Sequence, residues 1–281
     1  MSRLNISVII VFRNEAEHLA RCLPRLGWCD EIIAVDMAST DNSAEVARQY
    51  AHRLLETEVH PAVEPTRVQA IDLTKHDWVL MIDPDEYLPE SLATDIAEAM
   101  QAHPDAGAFD LPMWFYIKNK RVNGGYWGRL VMKPRLIHRR RYQLSPGVHR
   151  KGGPRPGYEV VPVAHDGDNH IRHYWCDSYR ELLYKHLVRY PAAEAKVLAG
   201  EGERSSLRQV VAEPLREGYR AMRHYDGWRD GVRGWLLGAT WMSYVALRRA
   251  MLLRYQGRVQ SSDTGASSDL PQLREPLRQA A

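Results

Sequence analysis

Short apolar runs that each close on acidic or amide residues restrict the folds open to this chain more than any other feature. Residues 6–12, 31–36 and 78–82 are rich in Ile, Val and Trp and too brief for helices, so they read as buried strands. Between them, helical patterns run from the polar turn at Arg13-Asn14-Glu15 to about Leu26, from Ser43 to about His52, and over 66–73. A weaker strand is expected at 54–59. Strand and helix alternating at this spacing predict a parallel sheet with covering helices. In such sheets ligands bind beyond the carboxyl ends of the strands. Three strand ends would bring Asn14/Glu15, Asp36/Asp41 and Asp83/Asp85 to that edge. A single acid at a strand end is commonly a helix cap; capping alone is a weak account of three.

The third end is Asp83-Pro84-Asp85-Glu86. Pro84 cannot donate to a sheet ladder, so the strand must stop there. As residues i and i+2 of an extended chain, Asp83 and Asp85 would point the same way. Two such hard oxygens suit Mg²⁺ or Mn²⁺ bridged to substrate phosphates; the alternative is an acidic turn that leads into the next helix. The chain contains neither GxGxxG nor GxxxxGK[ST], so no dinucleotide fingerprint or P-loop is written here. A cation at Asp83/Asp85 would supply the missing phosphate neutraliser.

The totals set outer limits. With 281 residues, 44% hydrophobic and 26% charged, the chain can bury a large core and is not of disordered composition. A net charge of +3 does not suggest a nucleic-acid binder, and none is expected as a partner. Cys22, Cys29 and Cys176 form no CxxC pair, which favours a reduced, cytoplasmic setting. The run at 6–12 meets Arg13-Asn14-Glu15 at once, which suits a strand better than a secretory signal. The apolar run at 235–247 is too short to span a bilayer.

Four stretches together resemble the successive signatures of family 2 glycosyltransferases: Ser7-Val-Ile-Ile-Val-Phe-Arg-Asn-Glu15, Val35-Asp-Met-Ala-Ser-Thr-Asp-Asn-Ser43, Arg67-Val-Gln-Ala70 and Asp83-Pro-Asp-Glu86. The resemblance is strong over about 5–90. It continues more loosely to about 255, where the layout is similar to bacterial lipopolysaccharide-core glucosyltransferases. It implies an α/β GT-A fold (Rossmann-like, mostly parallel sheet with covering helices) with a C-terminal helical extension. It also implies an inverting enzyme that uses a nucleotide-diphosphate sugar and a divalent cation. On this resemblance Phe12, Asn14 and Glu15 would sit against the nucleoside, and Asp36 would accept from uracil N3–H. Asp41 would support that loop, and Arg67 would meet the base or the diphosphate. Asp83 would approach ribose and metal, Asp85 would ligate the metal, and His173, in a recurrent His-Tyr pair, would be a third metal or diphosphate contact. Met37-Ala38 stands where relatives more often carry Asp-Gly, a place where Gly permits unusual backbone angles.

An inverting transfer needs a general base near the acceptor hydroxyl. Relatives often carry His-Glu near His149, the Glu looking like the base, but residue 150 here is Arg. The candidates are His149, which is favoured, with Glu159, Asp166 and Asp168. On the acceptor side, Trp127 follows Asn123-Gly-Gly125 and could stack on a sugar ring, whereas Trp114 and Phe115 read as core. Arg135-Leu-Ile-His-Arg-Arg-Arg141 reads as a strand that ends in a basic turn, either a solvated edge or an anion patch.

The expected organisation is a catalytic domain at 1–175 (nucleotide half 5–90, acceptor half 91–175), a helical extension at 176–258 and a disordered tail at 259–281. In the extension, helices are expected at 178–199 and 207–224. The Trp-bearing, Arg-flanked segment 229–255 is expected to lie on a membrane surface, or to pack against its own domain or a second subunit. The leading expectation is metal-dependent transfer of a hexose from a UDP-sugar to a cell-envelope glycan or lipid-linked acceptor at the inner membrane face. The alternatives are a peptide or natural-product acceptor, or a non-catalytic nucleotide-sugar binder. Donor sugar, linkage and oligomeric state stay open.

Overall fold

The computed structural model describes residues 3–60, 63–144, 152–256 and 273–275. Its strands are β1 (Leu4–Phe12), β2 (Cys29–Asp36), β3 (Arg53–Glu56), β4 (Trp78–Ile82), β5 (Glu86–Tyr87), β6 (Ala108–Ile117), β7 (Lys120–Arg121), β8 (Val131–His138), β9 (Tyr142–Gln143), β10 (Gly153–Pro154), β11 (Val160–Pro162) and β12 (Ile171–Cys176). The helices are α1 (Ala16–Cys22), α2 (Ser43–Arg48), α3 (Glu64–Ile71), α4 (Glu90–Ala102), α5 (Tyr179–Tyr184), α6 (Tyr190–Gly200), α7 (Leu207–Tyr219) and α8 (Gly231–Tyr255). They form two compact units: Met1–Met113 with Val131–His173 and Ser268–Ala281, and Trp114–Leu130 with Tyr174–Ser267.

In the first unit β3, β2, β1 and β4 lie side by side and parallel. Seven consecutive residues of β1, Ile6 to Phe12, are buried, as expected of a central strand covered on both faces. Ile9, Val11, Ile33, Val35, Leu55, Ile71, Val79 and Ile137 share one core. Each such side chain taken from water contributes on the order of 2 kcal/mol. Because the strands are parallel and in register (Phe12 opposite Asp36, Ile10 opposite Ile82), their carboxyl ends share one edge. β8 then joins β4 antiparallel, with Leu80 opposite Leu136, and β6 joins β8 antiparallel. This reversal has no counterpart in the first half of the sheet.

Some boundaries differ from the sequence reading. The third strand is Arg53–Glu56 rather than 54–59, because β2 ends at Asp36, whose carbonyl takes the Thr57 N–H at 2.9 Å. Among the described residues no partner strand continues beyond that point. Leu273–Glu275, part of the tail expected to be disordered, pairs instead with the open edge of β3. There Glu56 and Arg274 exchange backbone bonds of 2.7 and 2.9 Å.

In the second unit Ile117, Val122, Trp127, Cys176, Leu182 and Leu237 form a core lined by Trp175 and Trp241. Trp127 is 9% exposed and its ring lies 4.8 Å from Trp175 and 5.0 Å from His186. It is a packing residue, which corrects the expectation of a sugar-stacking platform: the neighbouring glycines give the turn, not an open ring face. The helix expected over 178–199 is interrupted by a wide turn at Lys185–Arg189, just before Pro191, which lacks the N–H a regular helix needs. α8 buries Gly234, Leu237, Gly238, Tyr244, Val245 and Leu252 and exposes Val232, Trp235 and Leu236 in its first turns. Most of 229–255 is therefore packed within its own unit. Among the described residues no helix is long and apolar enough to cross a membrane.

His186 sits inside this aromatic core, its Nδ1 2.8 Å from the Leu182 carbonyl. Burial holds its imidazole below the ordinary value of 6.5 against the weaker pull of that carbonyl. The unfolded chain then binds more protons just below pH 6.5, so the contribution is present above that value and is lost as pH falls towards the folded pKa. Thermal melts from about pH 7 to about pH 5 should show a smaller acid-induced drop in Tm for His186→Phe than for the parent. Equal slopes would refute a neutral, buried imidazole.

Candidate functional site

The loops after β1 and β2 are fastened to each other. Met37 N–H donates to the Phe12 carbonyl at 2.9 Å, which extends the pairing one step past the strands. Asn14, at φ +55°, receives the Thr40 N–H on Oδ1 at 2.7 Å, while its own N–H meets Ser39 Oγ at 3.0 Å. Glu15 N–H donates to Ser43 Oγ at 2.8 Å, and Ser43 donates to Asp41. Burial pushes the Asp41 carboxyl up, but the Ser43 hydroxyl and N–H outweigh it and hold it below the usual carboxylate range. Asp36 is buried and spends Oδ1 on the Ser39 N–H (2.9 Å) and hydroxyl (2.6 Å). Ala38 adopts φ +53°, a left-handed conformation that costs a non-glycine residue about 1 kcal/mol. The sequence had marked this position as one that favours glycine.

The tip of β4 is organised differently from the sequence expectation. Residues 83–86 form a tight turn, with Glu86 N–H on the Asp83 carbonyl at 3.0 Å and Asp83 N–H on Glu86 Oε2 at 3.2 Å. Asp83 and Asp85 are thus not a same-side strand pair. The Asp83 carboxylate is gripped by Arg67 of α3 on Oδ1 and by Arg135 of β8 on Oδ2, the latter at 3.0 Å. Arg135 also donates to the fully buried Glu86. Asp85 instead meets Nε2 of His173 at 3.2 Å, and Nδ1 of His173 lies 3.8 Å from Glu86.

Charge explains the titration directions. Burial opposes ionisation of Asp83, but Arg67, Arg135 and His173 overcome it and hold the carboxyl far below its usual range. Burial raises Glu86 above its usual value, with Asp83 and Asp85 adding to the push and Arg135 and His173 opposing it. Burial would lower His173, yet Asp85, Glu86 and Asp83 raise it. Lys133 lies two residues before Arg135 on β8; burial, then Arg135, pulls its ammonium down. Among the described residues that ammonium has no hydrogen-bond or ion-pair partner. The cluster holds three carboxylates (Asp83, Asp85, Glu86) against three basic side chains (Arg67, Lys133, Arg135), with His173 among them. The sequence pattern gives no role to Glu86 or Lys133, and Arg135 enters it only as the start of the basic run 135–141. Its available signal was two basic residues at alternate positions of a strand whose next residues are buried.

Among the described residues no group of three or more His, Cys, Asp or Glu is arranged to hold a metal. Asp85 and His173 supply one oxygen and one nitrogen side by side, which fits a cation completed by phosphate oxygens and water. Asp83, neutralised by two guanidiniums, fits that role less well. Of the candidate bases, His149 lies outside the described residues, as does Arg150. The carbonyl of Glu159 takes the Gly107 N–H at 2.8 Å beside Ala108, which pairs with Ile137, itself opposite Val79. Asp83 lies four residue steps beyond Val79 along the direction of β4, roughly 13 Å. Glu159 is therefore exposed near the opposite end of the strand, which corrects its candidacy as the base. Asp166 and Asp168 line a shallow groove with Ser91, Asp95 and Arg172.

Residues 7–153, which is 147 of 281, match the profile described as glycosyl transferase family 2. The chain belongs to this family, and its α/β architecture is the GT-A type. It is 25% identical over 264 residues to the lipopolysaccharide core biosynthesis glycosyltransferase LpsC of Rhizobium meliloti, covering 89% of this chain and 92% of that one. It is 33% identical over 105 residues to a TPR repeat-containing protein of Synechococcus elongatus. That match covers 37% of this chain and only 26% of the relative's length. Among solved structures it is similar to the mannosyltransferase PcManGT of Pyrobaculum calidifontis in complex with GDP-Man and Mn²⁺. The two are 16% identical over 89% of this chain and 88% of that one, with a TM-score of 0.49.

The ion cluster makes a stability prediction. Arg135→Ala leaves Glu86 buried without its guanidinium and should cost about 3–5 kcal/mol in urea unfolding. Lys133→Ala, which breaks no pair, should cost less than about 1 kcal/mol. Equal losses would show that the two side chains are not distinguished by pairing.

Proposed function

We propose that the protein transfers a hexose, with inversion, from a UDP-sugar to a hydroxyl of a cell-envelope glycan or lipid-linked acceptor. The observation that carries this reading is the balanced cluster at the tip of β4. Asp85 and His173 stand beside Arg67, Lys133 and Arg135, at the edge where the loops of Asn14 and Asp36 also end. The near full-length relationship to LpsC, named for lipopolysaccharide core biosynthesis, supports the acceptor class.

In this proposal Phe12, Asn14 and Glu15 shape the nucleoside pocket, and Asp36 accepts from the base N–H with the oxygen not spent on Ser39. Asp41 acts indirectly, by holding Ser43 and through it the backbone of Glu15. Lys133 faces the diphosphate with an unshared positive charge, while Arg67 and Arg135 fix Asp83 and extend the positive field. Asp85 and His173 would hold Mg²⁺ or Mn²⁺; Asp83 is left to the two arginines. When bound, such a cation stabilises the negative charge that grows on the departing diphosphate. His149 is proposed as the base that takes the acceptor hydroxyl proton, on the sequence pattern alone.

The test is turnover of UDP-hexoses with Mn²⁺, with EDTA, and for Asp85→Ala and His173→Ala. Chelation and either substitution should each lower kcat by about 100-fold or more, the scale of losing electrostatic stabilisation of a leaving group. Undiminished turnover in EDTA would remove the cation from the proposal. Binding of UDP on calorimetry with no transfer to any acceptor would favour a non-catalytic binder.

A further inference from the structure

The helical unit carries an exposed strip that the transfer reading leaves unexplained. On α7, Leu207, Val211, Leu215 and Tyr219 recur every four residues and are 75, 64, 60 and 62% exposed. Trp228 in the following turn and Val232, Trp235 and Leu236 at the start of α8 are also exposed, Val232 at 89%. Isolated surface apolar residues are ordinary, but a contiguous set is not.

The two sets open on one side. α7 and α8 run antiparallel: Ser205 bonds Gln256, Glu213 bonds Arg249, and Gly218 lies so close to Met242 that a Cβ would come within 2.3 Å of its sulfur. At about 100° per residue, Val211, Leu215 and Tyr219 follow the Pro214/Gly218 contact line by roughly 40–120° in the sense of the helix. On α8, Trp235, Val232 and Leu236 follow the Gly238/Met242 line by roughly 40–140° in the same sense. Equal rotations from the contact line of two antiparallel helices lead to the same side of the pair.

The charges on this face are sorted. Both acids of α7 are engaged: Glu213 with Arg248 and Arg249, and Glu217 with Tyr126 and Arg220. Arg208, within the strip, and Arg223, at its margin, are exposed and have no ion-pair partner among the described residues. Arg229 stacks on Trp228 at 5.4 Å. Apolar and aromatic side chains in the middle of a face, with the unopposed Arg208 and Arg223 and the Asp226-paired Arg229 around them, match the boundary between acyl chains and anionic headgroups.

We propose that this face of α7 and the first turns of α8 docks on the surface of an anionic lipid bilayer. The strip sits at the acyl boundary, and Arg208 and Arg223 pair with headgroup phosphates. The contact lies chiefly on α7 rather than along 229–255, because α8 buries most of its length. Docking does not depend on the transfer reading, though it would bring the chain to a lipid-linked acceptor.

The test uses the full chain with phosphatidylglycerol/phosphatidylcholine vesicles and with phosphatidylcholine alone, in a flotation assay. Partitioning should require the anionic lipid and fall with salt. Arg208→Gln with Arg223→Gln should weaken it roughly 30-fold, each basic side chain near such a surface being worth about fivefold. Leu215→Asp with Trp235→Asp should abolish it while leaving the circular dichroism melt and the vesicle-free donor hydrolysis unchanged. No partitioning, or partitioning untouched by both pairs of substitutions, would overturn the proposal. So would a dimer on sizing that the aspartate pair dissociates, since a second copy would then be the occupant. Loss of hydrolysis with docking intact would count against the transfer reading alone.

Discussion

The site depends on a buried ion network: Asp83 held from two sides by Arg67 and Arg135, and Arg135 shared with Glu86. Charges taken from water carry a penalty of several kcal/mol each and persist only when paired and hydrogen-bonded. Here the pairing draws on three elements far apart in sequence: the turn after β4, helix α3 and strand β8. Satisfying the network therefore fixes where α3 and β8 lie against the tip of β4. A network of this kind adds little net stability over an apolar equivalent, but it tolerates few alternative arrangements. What it specifies is geometry, and geometry is what a site of exposed strand ends otherwise lacks.

The antiparallel entry of β8 is what makes the network feasible. In a wholly parallel sheet every carboxyl end brings the same kind of residue to the edge, and in this chain those are acids and amides. β8 runs the other way, so its first half lies beside the ends of its neighbours. Leu136 opposite Leu80 carries Arg135 and Lys133 past the tip. The turn at 83–86 completes the arrangement by directing Asp83 to the arginines and Asp85 to His173. Adjacent residues in the chain thereby acquire different electrostatic partners.

This also explains which parts were legible in sequence. The strands β1, β2 and β4 and the helices between them were readable because periodicity and strand length are local. The mutual support of the Asn14 and Asp36 loops follows from parallel register, which the strand–helix alternation implied. Even the strained position at Ala38 was visible, as the one place in that loop where glycine is favoured. Arg135 and Lys133 were not legible, because their role arises only once β8 is paired antiparallel to β4, a contact that spans more than fifty residues. Trp127 was misjudged because an aromatic beside glycines has the same local pattern in a turn, whether its ring meets solvent or a core. For segment 229–255 the sequence leaves membrane contact and packing on its own domain both open, because arginines on a Trp-bearing helix can face headgroups or, as Arg248 and Arg249 do, the carboxylates of neighbouring helices.

The charge count of the tip then limits what it can accept. With three carboxylates facing three basic side chains, the cluster is close to neutral before any ligand arrives. Two of the bases are spent on Asp83 and Glu86, whereas Lys133 is unshared and its ammonium is already pulled down by burial and by Arg135. An added anion would oppose that downward pull on the Lys133 ammonium, so the site gains from negative charge on that side. The Asp85 carboxylate, on the other side, gains from positive charge. In the proposed reading, a ligand that carries both signs, a diphosphate together with a cation, would suit both halves at once.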